Sequence, residues 1–151
     1  MIVIYHCVGG AHSSVLAASI HLGLLPVDRK PTKEDILNIP FFDTLSKQEQ
    51  GKILMKGIDE HGNNVFTLSR QFVPRLKLPA IKDAYQLGGG KLSDLLLLNT
   101  MEPVNWLMKF GGFSSRRLHF VAFGRPIAAY GAAKVYDKIA QIVASTKKII
   151  N

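Results

Sequence analysis

A short run of β-branched and aromatic residues, Ile2-Val-Ile-Tyr5, leads through His6 into Cys7-Val-Gly-Gly-Ala-His-Ser-Ser14. Apolar residues then resume from Val15 to Leu22. This order constrains the chain more than any other feature. The first run suits a pleated strand, and its lack of polar alternation suits a strand covered on both faces. Val15 to Leu22 is apolar nearly all round, which predicts a buried helix, with Gly23 as its left-handed cap and Pro26 just beyond. A strand, a glycine-rich loop and a buried helix in succession open an α/β domain.

The rest of the chain extends that pattern. Thr32 is placed to cap a short helix, Lys33 to Asn38, that Pro40 stops. Ser46-Lys-Gln-Glu49 has the form of a capping box. Ile53 to Ile58 and Val65 to Ser69 flank Asp59-Glu-His-Gly-Asn-Asn64, which predicts a β-hairpin with a longer loop. Phe72 to Leu87 is expected to be helical, opened by Pro74 and kinked or split at Pro79. Leu95 to Leu98 is a fully apolar strand, Pro103 to Phe110 a helix, and Phe120 to Phe123 another strand. The last helix is expected from about Pro126 to Ile150. It carries Val135, Ile139, Ile142 and Val143 on one face and Lys134, Asp137, Lys138 and Gln141 on the other. The expected fold is therefore a single α/β domain over residues 1–151. It is three-layered, with a mostly parallel sheet, helices on both faces and a central β-hairpin insertion that adds an antiparallel edge or a small flap.

Composition narrows the setting. Apolar residues make up 47% of the 151, enough for a substantial core. No run of about 18 apolar residues is present, so no transmembrane helix is expected. Met1 to Cys7 lacks the basic start and small-residue cleavage site of a secretory signal. A single cysteine cannot form an internal disulfide, which fits a cytoplasmic setting. Nineteen Lys and Arg against 11 Asp and Glu leave a net charge of +8, suited to anionic partners as well as to plain solubility. The basic residues are dispersed and no nucleic-acid motif accompanies them. No His, Cys, Asp and Glu cluster has metal-site spacing, so neither a metal nor a cofactor is expected. Oligomeric state is not legible.

Ligands of open α/β sheets bind beyond the carboxyl ends of the parallel strands. Three such ends are expected: the Cys7–Ser14 loop, Asn99-Thr100 after the Leu95 strand, and Gly124-Arg125 after the Phe120 strand. In the first, Gly9 and Gly10 let backbone approach a ligand closely, the helix start offers free N–H groups and partial positive charge, and Ser13 and Ser14 offer hydroxyls. The same residues also suffice for a tight serine-capped turn with no ligand. Cys7 faces the helix start, where a thiol becomes nucleophilic, although a lone cysteine beside a strand also serves as a small buried hydrophobe. His12 can donate to an anion or exchange a proton, or make a single structural hydrogen bond. Arg125 is expected to clamp an oxyanion from its strand-end loop. Arg116 and Arg117 are expected on the solvated surface.

Several resemblances attach to these residues. The loop departs from the Walker A pattern, since His12 stands where its lysine belongs. Cys7 and Ser14 match the low-molecular-weight tyrosine phosphatase loop, Cys-x5-Arg-Ser, but Ser13 replaces the arginine. Cys7, Gly10, Ser13 and Ser14 resemble the loop of phosphotransferase-system IIB components, which implies a cysteine that carries a phosphoryl group. Over nearly the full length, Tyr5–Ser14, Gly111-Gly-Phe-Ser-Ser-Arg-Arg117 and Gly124-Arg-Pro126 resemble domain of unknown function 3189, an uncharacterised family of small Firmicutes proteins. That resemblance implies no activity. The residues themselves point to binding of a nucleotide or small phosphorylated ligand, with phosphoryl transfer as the reaction such a site can host. Cys7 and His12 are the candidate catalytic residues, and Gly9, Gly10, Ser13, Ser14, Asn99, Thr100 and Arg125 the candidate ligand contacts. The alternative is a non-catalytic protein that binds a partner through its basic surface or hairpin.

Overall fold

The structure is a computed structural model that describes residues 1–26, 29–102 and 121–150, the last stretch without the side chains of 121–125. The chain runs through β1 (Ile2–Cys7), α1 (Ser13–His21), α2 (Lys33–Leu37), β2 (Ile53–Ile58), β3 (Asn64–Ser69), α3 (Pro74–Leu87), β4 (Leu95–Asn99) and α4 (Val121–Ile150). Single 3-10 turns lie at Lys47–Glu49 and Leu92–Asp94.

The four described strands form one mixed sheet in the order β2-β3-β1-β4. β1 pairs in parallel with β3, Cys7 opposite Ser69, and with β4, His6 opposite Asn99. β2 is antiparallel to β3 at the edge, with an irregularity between Met55 and Gly57. The hairpin expected from the sequence is thus part of the sheet itself, and its second strand lies next to β1.

Strand side chains alternate between faces, and two apolar clusters follow that alternation. Val3, Tyr5 and Val65 pack with Val15 and Leu16 of α1, Ile36 of α2, and Ala128, Ala132 and Ile139 of α4. Ile4, Leu68 and Leu95 form a smaller cluster with Leu78, Ile81 and Tyr85 of α3. All nine residues of α1 are buried, as the nearly all-round apolar character of Val15 to Leu22 predicts, and Ser13, Ser14, Ser19 and His21 are buried with them. In α2 the Thr32 Oγ1 accepts from Asp35 N at 3.1 Å, and the Asp35 carboxylate accepts from Thr32 N at 2.7 Å, completing a capping box. In α4, Val135, Ile139 and Val143 are buried, while Lys134, Asp137, Lys138 and Gln141 are exposed.

Two expectations need correction. Of the two outcomes expected at Pro79, a split does not occur, since α3 runs continuously from Pro74 to Leu87 with that proline inside it. Val121 to Phe123 form the start of α4, not a strand. Four apolar residues carry no period that separates a strand from a buried helix, and here the run is continuous with the alanine-rich segment after it. Pro126 accordingly sits inside the helix and not at its first position. The expected helix Pro103–Phe110, with Trp106, and the residues Arg116 and Arg117 lie outside the described residues.

A buried polar chain ties the hairpin to α1. The Tyr5 hydroxyl and His21 Nδ1 lie 2.9 Å apart, and His21 Nε2 lies 3.0 Å from Asp59 Oδ2. Asp59 also accepts from His61 N, Asn63 N and Asn63 Nδ2, and the Met1 ammonium donates to Asn63 Oδ1 at 2.9 Å. Burial alone would raise the Asp59 carboxyl, but hydrogen bonds from Asn63 and His21 outweigh it and hold the group well below the usual carboxylate range. Both side chains of the His21–Asp59 pair are fully buried, so removing one strands the other. Asp59→Ala is expected to cost about 3–5 kcal/mol, read as a shift in the denaturant midpoint. A loss below about 1 kcal/mol would show that the chain is not what anchors the hairpin.

Candidate functional site

Because β3, β1 and β4 are parallel, their carboxyl ends open at one edge. The exits from that edge diverge. β1 leads to α1, which packs on the Val3 and Tyr5 side, whereas β3 leads to α3, which packs on the Ile4 side. Adjacent parallel strands whose connections leave to opposite faces form a topological switch point, the place where such sheets bind ligands. Here it lies between the Cys7–Ser14 loop and the Ser69–Val73 loop.

The two loops are stitched together by backbone. Arg70 N donates to Cys7 O and Gln71 N to Val8 O, both at 3.0 Å. Ser69 Oγ adds a bond to Val8 O at 3.1 Å. Gly10 lies against Ser69 so closely that a Cβ would meet Ser69 Cβ, Cα and N at 2.7–2.8 Å, and its φ is +70°. Only glycine satisfies both conditions. Gly9 differs, since a Cβ there would meet nothing within 4 Å.

The candidate residues converge, with more internal hydrogen bonding than the sequence suggests. Cys7 is buried, and its Sγ accepts from Gly10 N at 3.0 Å and lies 3.2 Å from Ser14 Oγ. Ser13 and Ser14 are also buried. Thr100 Oγ1 lies 3.1 Å from both His6 O and Ser13 Oγ. A hydroxyl carries one hydrogen and a carbonyl only accepts, so Thr100 donating to His6 O leaves Ser13 donating to Thr100. Thr100 N also donates to His6 O, at 3.0 Å. Asn99 is exposed, and its Oδ1 accepts from Met101 N at 3.1 Å. Ser13, Ser14 and Thr100 therefore pin the helix start to β1 and β4.

His12 occupies the N-cap position of α1, yet no side chain caps that helix. The first helical bond is Leu16 N to His12 O at 2.8 Å, so the N–H groups of the first turn have no acceptor within the helix. The His12 ring does not bond to them. Its Nε2 lies 2.9 Å from Asp43 Oδ1, and its edge meets Phe42 at a centroid distance of 5.4 Å. A carboxylate accepting at Nε2 favours the tautomer that leaves Nδ1 as acceptor. Asp43 N donates to Ala11 O at 3.0 Å, and Phe41 and Asp43 both hold positive φ, 72° and 56°. Non-glycine residues in that region carry strain that the surrounding structure must hold.

Sequence reasoning missed Asp43, Ser69 and Arg70. Asp43 lies 31 residues from His12 and reaches it only through the fold. Ser69 ends, and Arg70 follows, a strand that the sequence did predict, but the expected antiparallel edge or flap did not place that strand beside β1. Arg125, expected after a strand, stands in the first turns of α4, and its side chain lies outside the described residues. Across β1, His6 is buried on the α3 side; burial and then the charge of Arg70 push its imidazole down to about 4.

A family model described as a protein of unknown function (DUF3189) matches residues 2–148. The chain belongs to DUF3189. No curated protein and no solved structure matches it. Among the described residues of this DUF3189 chain, no group of three His, Cys, Asp or Glu is placed to hold a metal ion. Nor is any helix long and apolar enough to cross a membrane. An open groove of about 470 Å³ lies away from the switch point, lined by Arg29, Lys30, Tyr136 and Asp137. The exposed Lys30–Asp137 pair crosses it at 3.0 Å. It has none of the buried polar groups of the loop.

Two measurements test this geometry. Gly10→Ala is expected to destabilise by about 2–4 kcal/mol through left-handed strain and overpacking against Ser69, and Gly9→Ala by less than about 0.5 kcal/mol. Equal effects would contradict the packing described. The depressed His6 gives a pH dependence. The unfolded chain takes up a proton near its ordinary value of about 6.5, before the folded chain does. Stability is thus intact above pH 6.5 and lost as pH falls toward about 4. The loss is up to about 3 kcal/mol, at 1.36 kcal/mol per unit. Denaturation of His6→Gln across that window should show a flatter slope than wild type, and an unchanged slope would remove His6 as the source.

Proposed function

We propose that this chain is a three-layer cytoplasmic α/β domain that binds a nucleotide or small phosphorylated ligand through its oxyanion at the Cys7–Ser14 loop. The observation that carries the reading is the uncapped start of α1 beside Gly9, open on its Cβ side, at the switch point of the sheet. First-turn N–H groups and the helix dipole favour a negative group there. The net charge of +8 favours its approach. Gly9 and Gly10 shape the mouth, Ser13, Ser14 and Thr100 hold it rigid, and His12, Asn99 and Arg125 complete the contacts. Cys7, flanked by Gly10 N and Ser14 Oγ, is the residue in place for phosphoryl transfer. In that step an S–P bond would form and the ligand's P–O bond break, with His12 Nδ1 taking up the Cys7 thiol proton and passing it to the leaving oxygen.

Isothermal titration with inorganic phosphate, nucleotides and sugar phosphates tests the reading. Saturable binding is expected, weakened about tenfold or more by Gly9→Val, whose side chain fills the mouth without disturbing Ser69. Arg125→Ala is expected to weaken it about ten- to a hundredfold, the loss of one charge-assisted contact. Full binding by Gly9→Val would move the ligand elsewhere. No binding of any of these anions by wild type would leave the alternative, a protein that binds a partner through its basic surface or hairpin. Covalent labelling of Cys7 by a phosphoryl donor, seen by intact mass and absent in Cys7→Ser, separates transfer from binding alone.

A further inference from the structure

The edge that carries the Cys7 loop has a second set of polar groups on the other side of β1. Side chains alternate along a strand, so His6 faces α3 while Cys7 faces α1. His6 is 3% exposed, and its Nδ1 has no hydrogen-bond partner. Arg70, the first residue after β3, has a buried Nε that is likewise without a partner. Its Nη1 donates, among the described residues, only to the neighbouring Gln71 O, at 3.2 Å. Among the described residues, no carboxylate pairs with this guanidinium.

Both groups follow from the strand register, since His6 pairs with Leu68 and Arg70 comes two residues later on the same face. They are close enough for the Arg70 charge to act on the imidazole. A buried polar atom left unsatisfied costs about 1–3 kcal/mol, and more when it is charged. Two at one strand edge, each able to present an N–H, call for a shared acceptor. The surroundings favour a negative one. Arg70 is a fixed positive charge. The start of α3 at Val73 has no side-chain cap, and its dipole adds partial positive charge. Gln71, between the two, holds a positive φ of 56°, a strained conformation of the kind found where a loop is shaped around a ligand.

We propose that His6 Nδ1 and Arg70 Nε form an oxyanion subsite on the α3 side of the switch point, separate from the Cys7 loop, that takes the oxygens of a phosphate or carboxylate group. Arg70 supplies the charge and one directed N–H, and neutral His6 supplies the second donor from the neighbouring strand on the same face. The subsite does not require the Cys7 loop to bind, and a ligand carrying two anionic groups could occupy both.

The test is a nuclear magnetic resonance titration of the isotope-labelled full chain, first with inorganic phosphate and then with acetate, at constant ionic strength. The Arg70 Nε–H resonance, identified by its loss in Arg70→Lys, and the His6 ring nitrogens report the subsite. The amides of Gly9 to Ser14 report the loop. Saturable shifts at Arg70 and His6 are expected, strongest for the anion the subsite prefers. Arg70→Lys, which keeps the charge and lacks the Nε–H, should weaken them at His6 by about tenfold or more and leave the loop shifts unchanged. Shifts confined to Gly9–Ser14 would overturn the subsite and leave the loop reading standing. Shifts confined to Arg70 and His6 would do the reverse. Shifts at neither, with a water molecule satisfying both atoms, would overturn both. If Arg70→Lys does not fold, the wild-type titrations decide alone.

Discussion

β1 is held in parallel register on both sides and covered on both faces, and the rest of the structure depends on that confinement. Val3, Ile4, Tyr5, His6 and Cys7 are all buried, so no side chain of the strand's inner stretch can turn to water. A one-residue slip would exchange the two faces and put His6 into the core of α1 and α4. The chain must also leave the strand within a few residues, because β3 and β4 flank it and α1 packs back on one face. Gly10, in a left-handed conformation against Ser69, is the residue through which that exit is made.

The same groups therefore serve folding and any chemistry at the edge. Cys7, Ser13, Ser14 and Thr100 are bonded to one another or to the loop backbone. Each neutral bond is worth about 1 kcal/mol net, but leaving one partner buried and alone costs more. The loop is thus rigid before any ligand arrives, the condition under which fixed N–H groups bind an anion without first being ordered. The strain at Phe41 and Asp43 belongs to the same economy. Asp43 bonds to the His12 ring, and the surrounding packing keeps Phe41 and Asp43 in place.

How much of this was legible in the sequence depended on how far each signal reached along the chain. β1, α1 and the loop between them could be read because their cues are contiguous: β-branched residues, paired glycines, paired serines, then apolar residues. β4 was legible as an unbroken leucine run. The start of α4 was not, because Phe120 to Phe123 is too short to show a period, and Arg125 was accordingly expected after a strand and not within a helix. The place of β3 was hidden for another reason. Its residues were read correctly as a hairpin strand, but nothing local says that a hairpin strand pairs in parallel with β1. Ser69, Arg70 and Asp43 depend on that pairing or on the long-range packing around it. Sequence reasoning accordingly found the loop without finding two of the walls around it.

The placement of β3 also shifts the electrostatics of the edge. With Arg125 in a helix, the described cation nearest the parallel strand ends is Arg70, and it lies across β1 from Cys7. Positive charge and the two uncapped helix starts are thus divided between the faces: α1 with Cys7 on one, α3 with Arg70 and His6 on the other. Adjacent residues on a strand always point to opposite faces, so consecutive polar residues at the end of a buried strand can serve two separate environments. The paired polar residues His6 and Cys7 would be costly in the middle of a core. At a switch point, where the following loops part, each can face a crevice of its own.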